Sequence, residues 1–488
     1  MSKKPKTAPG PSPPTTLLAS LLQYIGPQLD AKALLMALPQ DELAPPFAAL
    51  RRLMTTPAAF DGQWSMLRLD LVPDAYMSLV LVALPAIPRV DLSIWYTRAA
   101  AADKEVWLAA SVYKLKSMHL SWLKMPSVHS ALPMCTQLER AGAVSNPSEM
   151  AEALRLLPPS VRRLDFDSEC FDDAYLAALS PWLRKGHARH LCFVQPGENS
   201  NVVGLAELLA STTSLTTLDL DMDADLLIDA LAATNLPLDH FKAIRFYSNA
   251  DDNVVRFLHR LDHATLTRLD ASGLRDFHCL VPLLAEMSQL EELALRLPTD
   301  SVVPAALGVT RFPCLRVLTI QFYELAYDCV RTFFHWTCAL PQLTEVHWVD
   351  VTIGESVESL RLLKQAIRRW ITMLSVLSFR GDDFVEKCLH CIGHALRARK
   401  SNPRALLLDL GADQLQYLMA VDNICVLLTA LRGLAHVTLE LCVNPQDEAF
   451  IKAYARTERI AMEILERRRS FPEGRDEGLV LRCRFHAF

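Results

Sequence analysis

Along most of the chain the apolar positions fall into one short phrase that keeps returning: apolar, two residues, apolar, one residue, apolar. It stands clearest as Leu215-Thr-Thr-Leu218-Asp-Leu220, Leu266-Thr-Arg-Leu269-Asp-Ala271, Leu290-Glu-Glu-Leu293-Ala-Leu295 and Leu315-Arg-Val-Leu318-Thr-Ile320. Looser copies begin at Met66, Ile87, Leu115, Leu138, Val161, Ala188, Phe241, Leu343, Leu374, Ala405, Leu434 and Gly478. A period of roughly 25 residues marks a stacked repeat. The fourth and sixth positions of each phrase alternate with outward polar residues, the two-residue period of a strand buried on one face. After the phrase the period changes. Asp225 to Ala233, Cys329 to Trp336 and Val254 to Leu258 carry apolar residues at helical spacing. Each unit is therefore a short strand followed by a helix. A lone unit leaves apolar faces open until neighbours stack on it.

This pattern resembles leucine-rich repeats, of the longer kind in ribonuclease-inhibitor-like and F-box-associated proteins, from Met66 to the C-terminus. The resemblance implies an α/β solenoid, a horseshoe with parallel strands on its concave face and helices outside. The family's usual Asn or Cys at the ninth position is mostly replaced: Asn249 holds it once, but Asp223, Leu274, Pro298 and Tyr323 stand there elsewhere. Something else must then do the work of the buried amide ladder.

The two ends do not repeat. Residues 1–14 hold basic residues and several prolines without an apolar core, which predicts a solvated tail and no secretory signal. Between 15 and 63 three short helices are expected: Leu17 to Ile25, a second started by Asp30 and stopped by Pro39, and a third from Phe47 to Met54. Short helices with Leu/Ile pairs, then Trp64 leading into repeats, resemble a degenerate F-box. That resemblance implies a docking face of Leu17, Leu18, Leu21, Leu22 and Ile25 for a Skp-type adaptor of a ubiquitin ligase. The opening Leu-Pro of the family is absent, and Leu50-Arg-Arg-Leu53 is all that stands for its later Cys-basic-x-Trp segment. The bland alternative is a cap over the first repeat. Repeats fill 64–443. At the far end, 444–488, Asn444-Pro445 is a helix start, a capping side chain followed by proline. Phe450, Tyr454, Ala461 and Ile464 would form that helix's apolar stripe, and a last strand near Gly478 would finish the sheet.

Composition narrows the classes. Apolar content of 51% against 22% charged residues describes a chain folded nearly throughout. A net charge of −5 over 488 residues argues against nucleic acid as a partner. No stretch of about 18 uncharged apolar residues is present, so no membrane span is expected. Twelve cysteines scattered among apolar neighbours read as reduced thiols, hence a cytoplasmic or nuclear protein.

Candidate chemistry is sparse. Cys388, Cys391 and His394 share a helical spacing but lack a fourth ligand, so no metal site is expected. The run Asp219 to Asp225 lacks the glycine and glutamate of a calcium loop. No nucleophile–base order and no phosphate-binding turn is present, so neither catalysis nor a cofactor is expected. The fifth position of the phrase projects from the concave face and holds Asp70, Asp91, Asp165, Asp219, Asp270 and Asp409. Asp167 and Asp221 follow two residues on. Strands about 5 Å apart would stack these carboxylates into a column. Later copies place Arg245, Tyr247, Arg268, Arg296, His347 and Arg380 on the same face. The expected surface is acidic early and basic-aromatic later, suited to a protein ligand lying in one orientation. The expected function is non-catalytic protein recognition, with substrate receptor of an SCF-type ubiquitin ligase as its sharper form. The alternative is a scaffold or GTPase regulator; Arg162, Arg245 and Arg275 would be the arginines for the latter.

Overall fold

The computed structural model describes residues 13–25, 28–55, 64, 66–68, 72, 74–92, 111–120, 126–142, 146–166, 171–193, 201–220, 224–246, 251–274, 277–297, 312–322, 327–349, 357–380, 382–399, 402, 404–411, 419–469 and 477–485. The chain divides into two compact units, 1–142 with 156–160, and 143–155 with 161–488.

In the first unit, α1 (Pro13–Tyr24), α2 (Gln28–Ala37) and α3 (Pro45–Thr55) precede β1 (Met66–Arg68). The strand β1 is followed by α4 (Met77–Ala83), β2 (Arg89–Leu92), β3 (Leu115–His119), α5 (Pro126–Ala131) and β4 (Arg140–Gly142). These strands pair in parallel, each with the next. The helical segment packs through Leu22, Ala31, Leu35, Phe47, Leu50 and Leu53, all buried. Trp64, buried, donates its indole N–H to Ile25 O at 2.8 Å and so ties the end of α1 to the start of the first repeat.

The Met66 phrase begins two residues earlier than its spacing suggests. Met66 pairs with Arg89 and Arg68 with Asp91, so Arg68 stands beside Asp91 where Asp70 was expected. Asp70 itself lies outside the described residues.

The second unit repeats strand after strand, with helices of four to seventeen residues among the described connections. The helix α6 (Pro147–Leu156), all but its last residue in this unit, leads into β5 (Arg163–Phe166). There follow α7 (Asp173–Arg184), β6 (His190–Phe193), α8 (Val202–Ala210), β7 (Thr217–Leu220), α9 (Asp225–Ala233) and β8 (Ala243–Phe246). Then come α10 (Asp251–Leu258), β9 (Arg268–Ala271), α11 (Val281–Leu284), β10 (Glu292–Leu297), β11 (Val317–Phe322) and α12 (Tyr327–Ala339). The series ends with β12 (Glu345–Val349), α13 (Val357–Met373), β13 (Val376–Arg380), α14 (Asp382–Ala398), β14 (Leu406–Leu410), α15 (Val421–Leu431) and β15 (Val437–Val443). From β5 to β15 every strand pairs in parallel with the next. This is the expected leucine-rich-repeat solenoid.

The first, fourth and sixth positions of the phrase form the core. Leu164, Leu191, Leu218, Leu269, Leu293 and Leu318 are fully buried or nearly so, as are Phe166 and Phe193, whose rings stack 5.0 Å apart. Each such leucine contributes about 1.5–3 kcal/mol by leaving water.

Cationic and amide side chains from neighbouring repeats supply part of what the missing ladder would do. Their partners are carbonyls at or just beyond helix ends, which lack donors within their own helix, and in one case a carbonyl of the loop before β14. Lys114 Nζ donates to Leu84 O, Pro85 O and Ile87 O at 2.9, 2.5 and 2.7 Å. Buried Arg399 donates to Ile371 O and, at 2.6 Å, to Arg404 O, and Asn402 donates to Thr372 O at 3.0 Å. Arg260 reaches Leu236 O just beyond α9 at 2.9 Å. Of the ninth-position residues only Leu274 is described, and it is buried.

The C-terminal segment departs from expectation. Asn444 Oδ1 accepts from Gln446 N–H at 2.9 Å and starts a turn into α16 (Glu448–Thr457), as its spacing predicts. That helix stops at Thr457, so Ala461 and Ile464 belong not to its stripe but to β16 (Ile460–Arg469). Arg459, with φ 58°, makes the turn. The strand β17 (Glu477–Phe485) pairs antiparallel with both β15 and β16. The Gly478 phrase is thus half of a closing hairpin and not a further parallel repeat.

Candidate functional site

Two surfaces carry the predicted residues, one in each unit. On α1 the five docking residues separate. Leu17 and Leu21 are 62% and 45% exposed, Leu18 and Ile25 are half-buried, and Leu22 is completely buried. Leu22 therefore belongs to the core of the helical segment and cannot meet a partner. Tyr24, 88% exposed and one turn beyond Leu21, takes its place on the outward stripe. The signal for this was present: Leu17, Leu21 and Tyr24 are spaced i, i+4, i+7.

In the second unit the fifth-position residues do form one row across the open face of the sheet. Asp165, Cys192, Asp219, Arg245, Asp270, Ala294, Thr319, His347, Ser378 and Asp409 are successive register partners from β5 to β14. At β15 the register slides by two residues, and Asp409 stands beside Glu440 in place of the expected Thr438. Arg296 and Arg380 lie two positions further along their strands. Asp167, Asp221 and Tyr247 lie outside the described residues.

Sequence reasoning placed Arg268 on this face but did not read the third position as a whole, which projects the same way. It places Arg163, His190 and Arg268 among the aspartates. Arg163 Nε lies 2.7 Å from Asp165 Oδ1, and its other end approaches Asp219 Oδ2 at 3.9 Å. Arginine only donates, so its 3.3 Å contact makes His190 Nδ1 the acceptor. His190 Nε2–H then donates to Asp219 Oδ2 at 2.7 Å. Burial raises the Asp219 pKa, but this hydrogen bond and the charges of Arg163 and Arg268 outweigh it and hold the carboxyl below its ordinary 3.8. Arg245 pairs with Asp270 at 3.3 Å, and Arg268 with Glu292 at 3.1 Å. Among the described residues, the early face is a lattice of matched charges and not a bare acidic column.

The later face follows the same rule. Asp409, buried, accepts from Ser378 Oγ at 2.8 Å and faces Arg380 at 3.7 Å. Glu440 is held by Arg482 of β17 at 2.5 Å, and Arg484 donates to Thr438 at 3.1 Å. His347 lies 3.7 Å from Glu345. Burial, then the Arg380 charge, lower its pKa below 6.5 despite Glu345 and Asp409. Between these groups Val317, Val376 and Leu407 present half-buried apolar patches.

Among the described residues no group of three His, Cys, Asp or Glu is placed to hold a metal. Cys391 is buried while His394 is exposed, so the two do not share a site. Asp219 lies on β7, where a calcium loop cannot form. Arg245 is paired within the open face, Arg162 is exposed beside β5, and Arg275 lies outside the described residues. No helix among the described residues is long and apolar enough to cross a membrane.

No protein-family model matches the sequence, and no curated protein matches it. Among solved structures the chain is similar to the complex of yeast Rad7 with Elc1 (14% identity, TM-score 0.36, covering 81% of this chain and 87% of that one). It is similar also to a leucine-rich-repeat protein of Leptospira interrogans (13% identity, TM-score 0.25, covering 78% and 96%). Human 5T4, the trophoblast glycoprotein, is a third (15% identity, TM-score 0.31, covering 45% and 82%).

Proposed function

We propose that this chain is a recognition protein that binds another protein on the open face of its repeats and catalyses nothing itself. In the sharper form of this reading, α1 docks onto a Skp-type adaptor and the repeats present a substrate to a ubiquitin ligase of the SCF type, in the cytoplasm or nucleus. The observation that carries the docking role is the outward stripe of Leu17, Leu21 and Tyr24 on a helix whose end Trp64 fixes to the first repeat. An apolar helical stripe of this spacing fits a groove on a partner. The buried residues of the same segment, Leu22 and Leu35 among them, support capping of the repeats as a second role of the same helices.

The test is binding of a purified Skp-type adaptor to the full chain and to a Leu17→Ala/Leu21→Ala/Tyr24→Ala variant, followed by calorimetry. Adaptor binding by the full chain and at least tenfold weaker binding by the variant is the expected result. No binding by the full chain, or equal binding by the variant, removes the ligase reading and leaves the scaffold.

A further inference from the structure

On the helical side of the second unit, away from the open face, α7, α8 and α9 pack side by side without filling the space along their outer surface. They leave a groove of about 810 Å³. Its floor is α8, which presents Gly204, Glu207 and Leu208 to it, and its walls are α7 and the end of α9. The walls carry small side chains, Ala177 and Ser180 on one side and Ala233 on the other. Apolar groups stand at the rim: Val203 is 61% exposed and Leu236 38%. Gly204 sets the depth. A Cβ there would meet Leu176 Cδ1 of α7 at 3.0 Å and Asn201 Nδ2 of the α8 cap at 2.9 Å, so a larger residue would push these side chains aside and narrow the groove.

Two charges give the groove a direction. Arg184 closes α7, Glu207 sits midway along α8, and both side chains are exposed. Neither joins an ion pair among the described residues, in contrast to the matched arginines and carboxylates of the open face. A trough of small side chains, apolar and polar mixed, with an exposed cation at one end and an exposed anion along it, has the form of half of an interface.

We propose that this groove binds an amphipathic helix of a partner protein. Its apolar anchors would fill the space beside Leu176 and Leu208, an acidic side chain would face Arg184, and a basic one Glu207. A helix suits the site because it lies among helices, with no strand edge to extend. The nine residues of α8 give it a length of about 13 Å, enough for anchors at i, i+4 and i+7. The site is separate from the open face and from α1, so a partner here adds to any bound there.

The probe is a displayed library of 18-residue helical peptides, selected on the full chain and measured as purified labelled peptides by fluorescence anisotropy. The expected selection converges on apolar i, i+4, i+7 anchors flanked by one acidic and one basic residue. An Ala177→Trp/Ala233→Trp chain, both positions exposed, fills the trough and should weaken binding at least tenfold with an unchanged melting temperature. Arg184→Glu should weaken it about fivefold to tenfold, and a peptide with its acidic residue changed to Lys should recover that loss. Failure to converge, or peptides that bind the filled chain equally well, would overturn the proposal. So would a peptide of residues 13–25 outcompeting the selected ones, which would make the occupant α1 of a second copy.

Discussion

Asp219 shows how a single side chain on the open face contributes to both stability and surface character. It is nearly buried yet ionised, because His190 and two arginines favour the carboxylate more than burial opposes it. Asp219→Asn should destabilise the second unit by about 1–2 kcal/mol at neutral pH, read as a lower denaturant midpoint. A carboxyl whose folded pKa lies below 3.8 stabilises the fold above that value and loses the contribution as pH falls through the folded pKa. The gap between variant and native chain should therefore narrow on acidification; a gap that does not shrink as the pH falls below 3.8 contradicts the assignment. His347 acts in the same sense at higher pH. Its folded pKa lies below 6.5, so the unfolded chain binds that proton more readily, and stability falls as pH drops below about 6.5. His347→Gln should remove that part of the slope, and its imidazole resonances in the native chain should titrate below 6.5.

At the scale of the element, helix ends decide more than helix interiors. Arg399 is buried with its guanidinium on Ile371 O at the end of α13 and on Arg404 O. Arg399→Met keeps the volume but strands these carbonyls, and should cost about 2–4 kcal/mol. A midpoint shift under about 0.5 kcal/mol would show that water replaces the guanidinium. Arg459 makes the turn from α16 into β16 with φ 58°, a conformation that costs a side-chain-bearing residue energy. Arg459→Gly relieves it and should stabilise the chain by up to about 1 kcal/mol. Lower stability in thermal melts would mean the arginine side chain does more than the turn requires.

At the scale of the whole molecule, the repeats grow by addition and need an end. In the second unit the antiparallel hairpin β16–β17 supplies it by covering β15. β15 runs Val-Thr-Leu-Glu-Leu-Cys-Val, an apolar strand that would template pairing if its edge were open. Removing residues 458–488 should turn a monodisperse protein into a concentration-dependent oligomer, measured by size-exclusion chromatography with light scattering. A monomer of undiminished stability would show that α16 covers the edge alone.

The repeat itself was legible from the sequence because strand burial has a period of two and each strand must present the same apolar face to the helices. The row from Asp165 to Asp409 followed from that alone, since identical phrases stack in register. Three things were decided only in three dimensions. The phrases at Met66 and Leu434 were misregistered by two residues, because a two-residue slide keeps the same face inward and apolar periodicity cannot detect it. The end of α16 was misplaced because Ala461 and Ile464 suit a buried strand as well as a helix. The charge of the open face was misjudged because the groups that hold Asp165 and Asp219 come from the third position, Arg163 of β5 and His190 of β6, and were not read together with the fifth. Local pattern tells which side chains face solvent; which of them meet is settled by how neighbouring strands align.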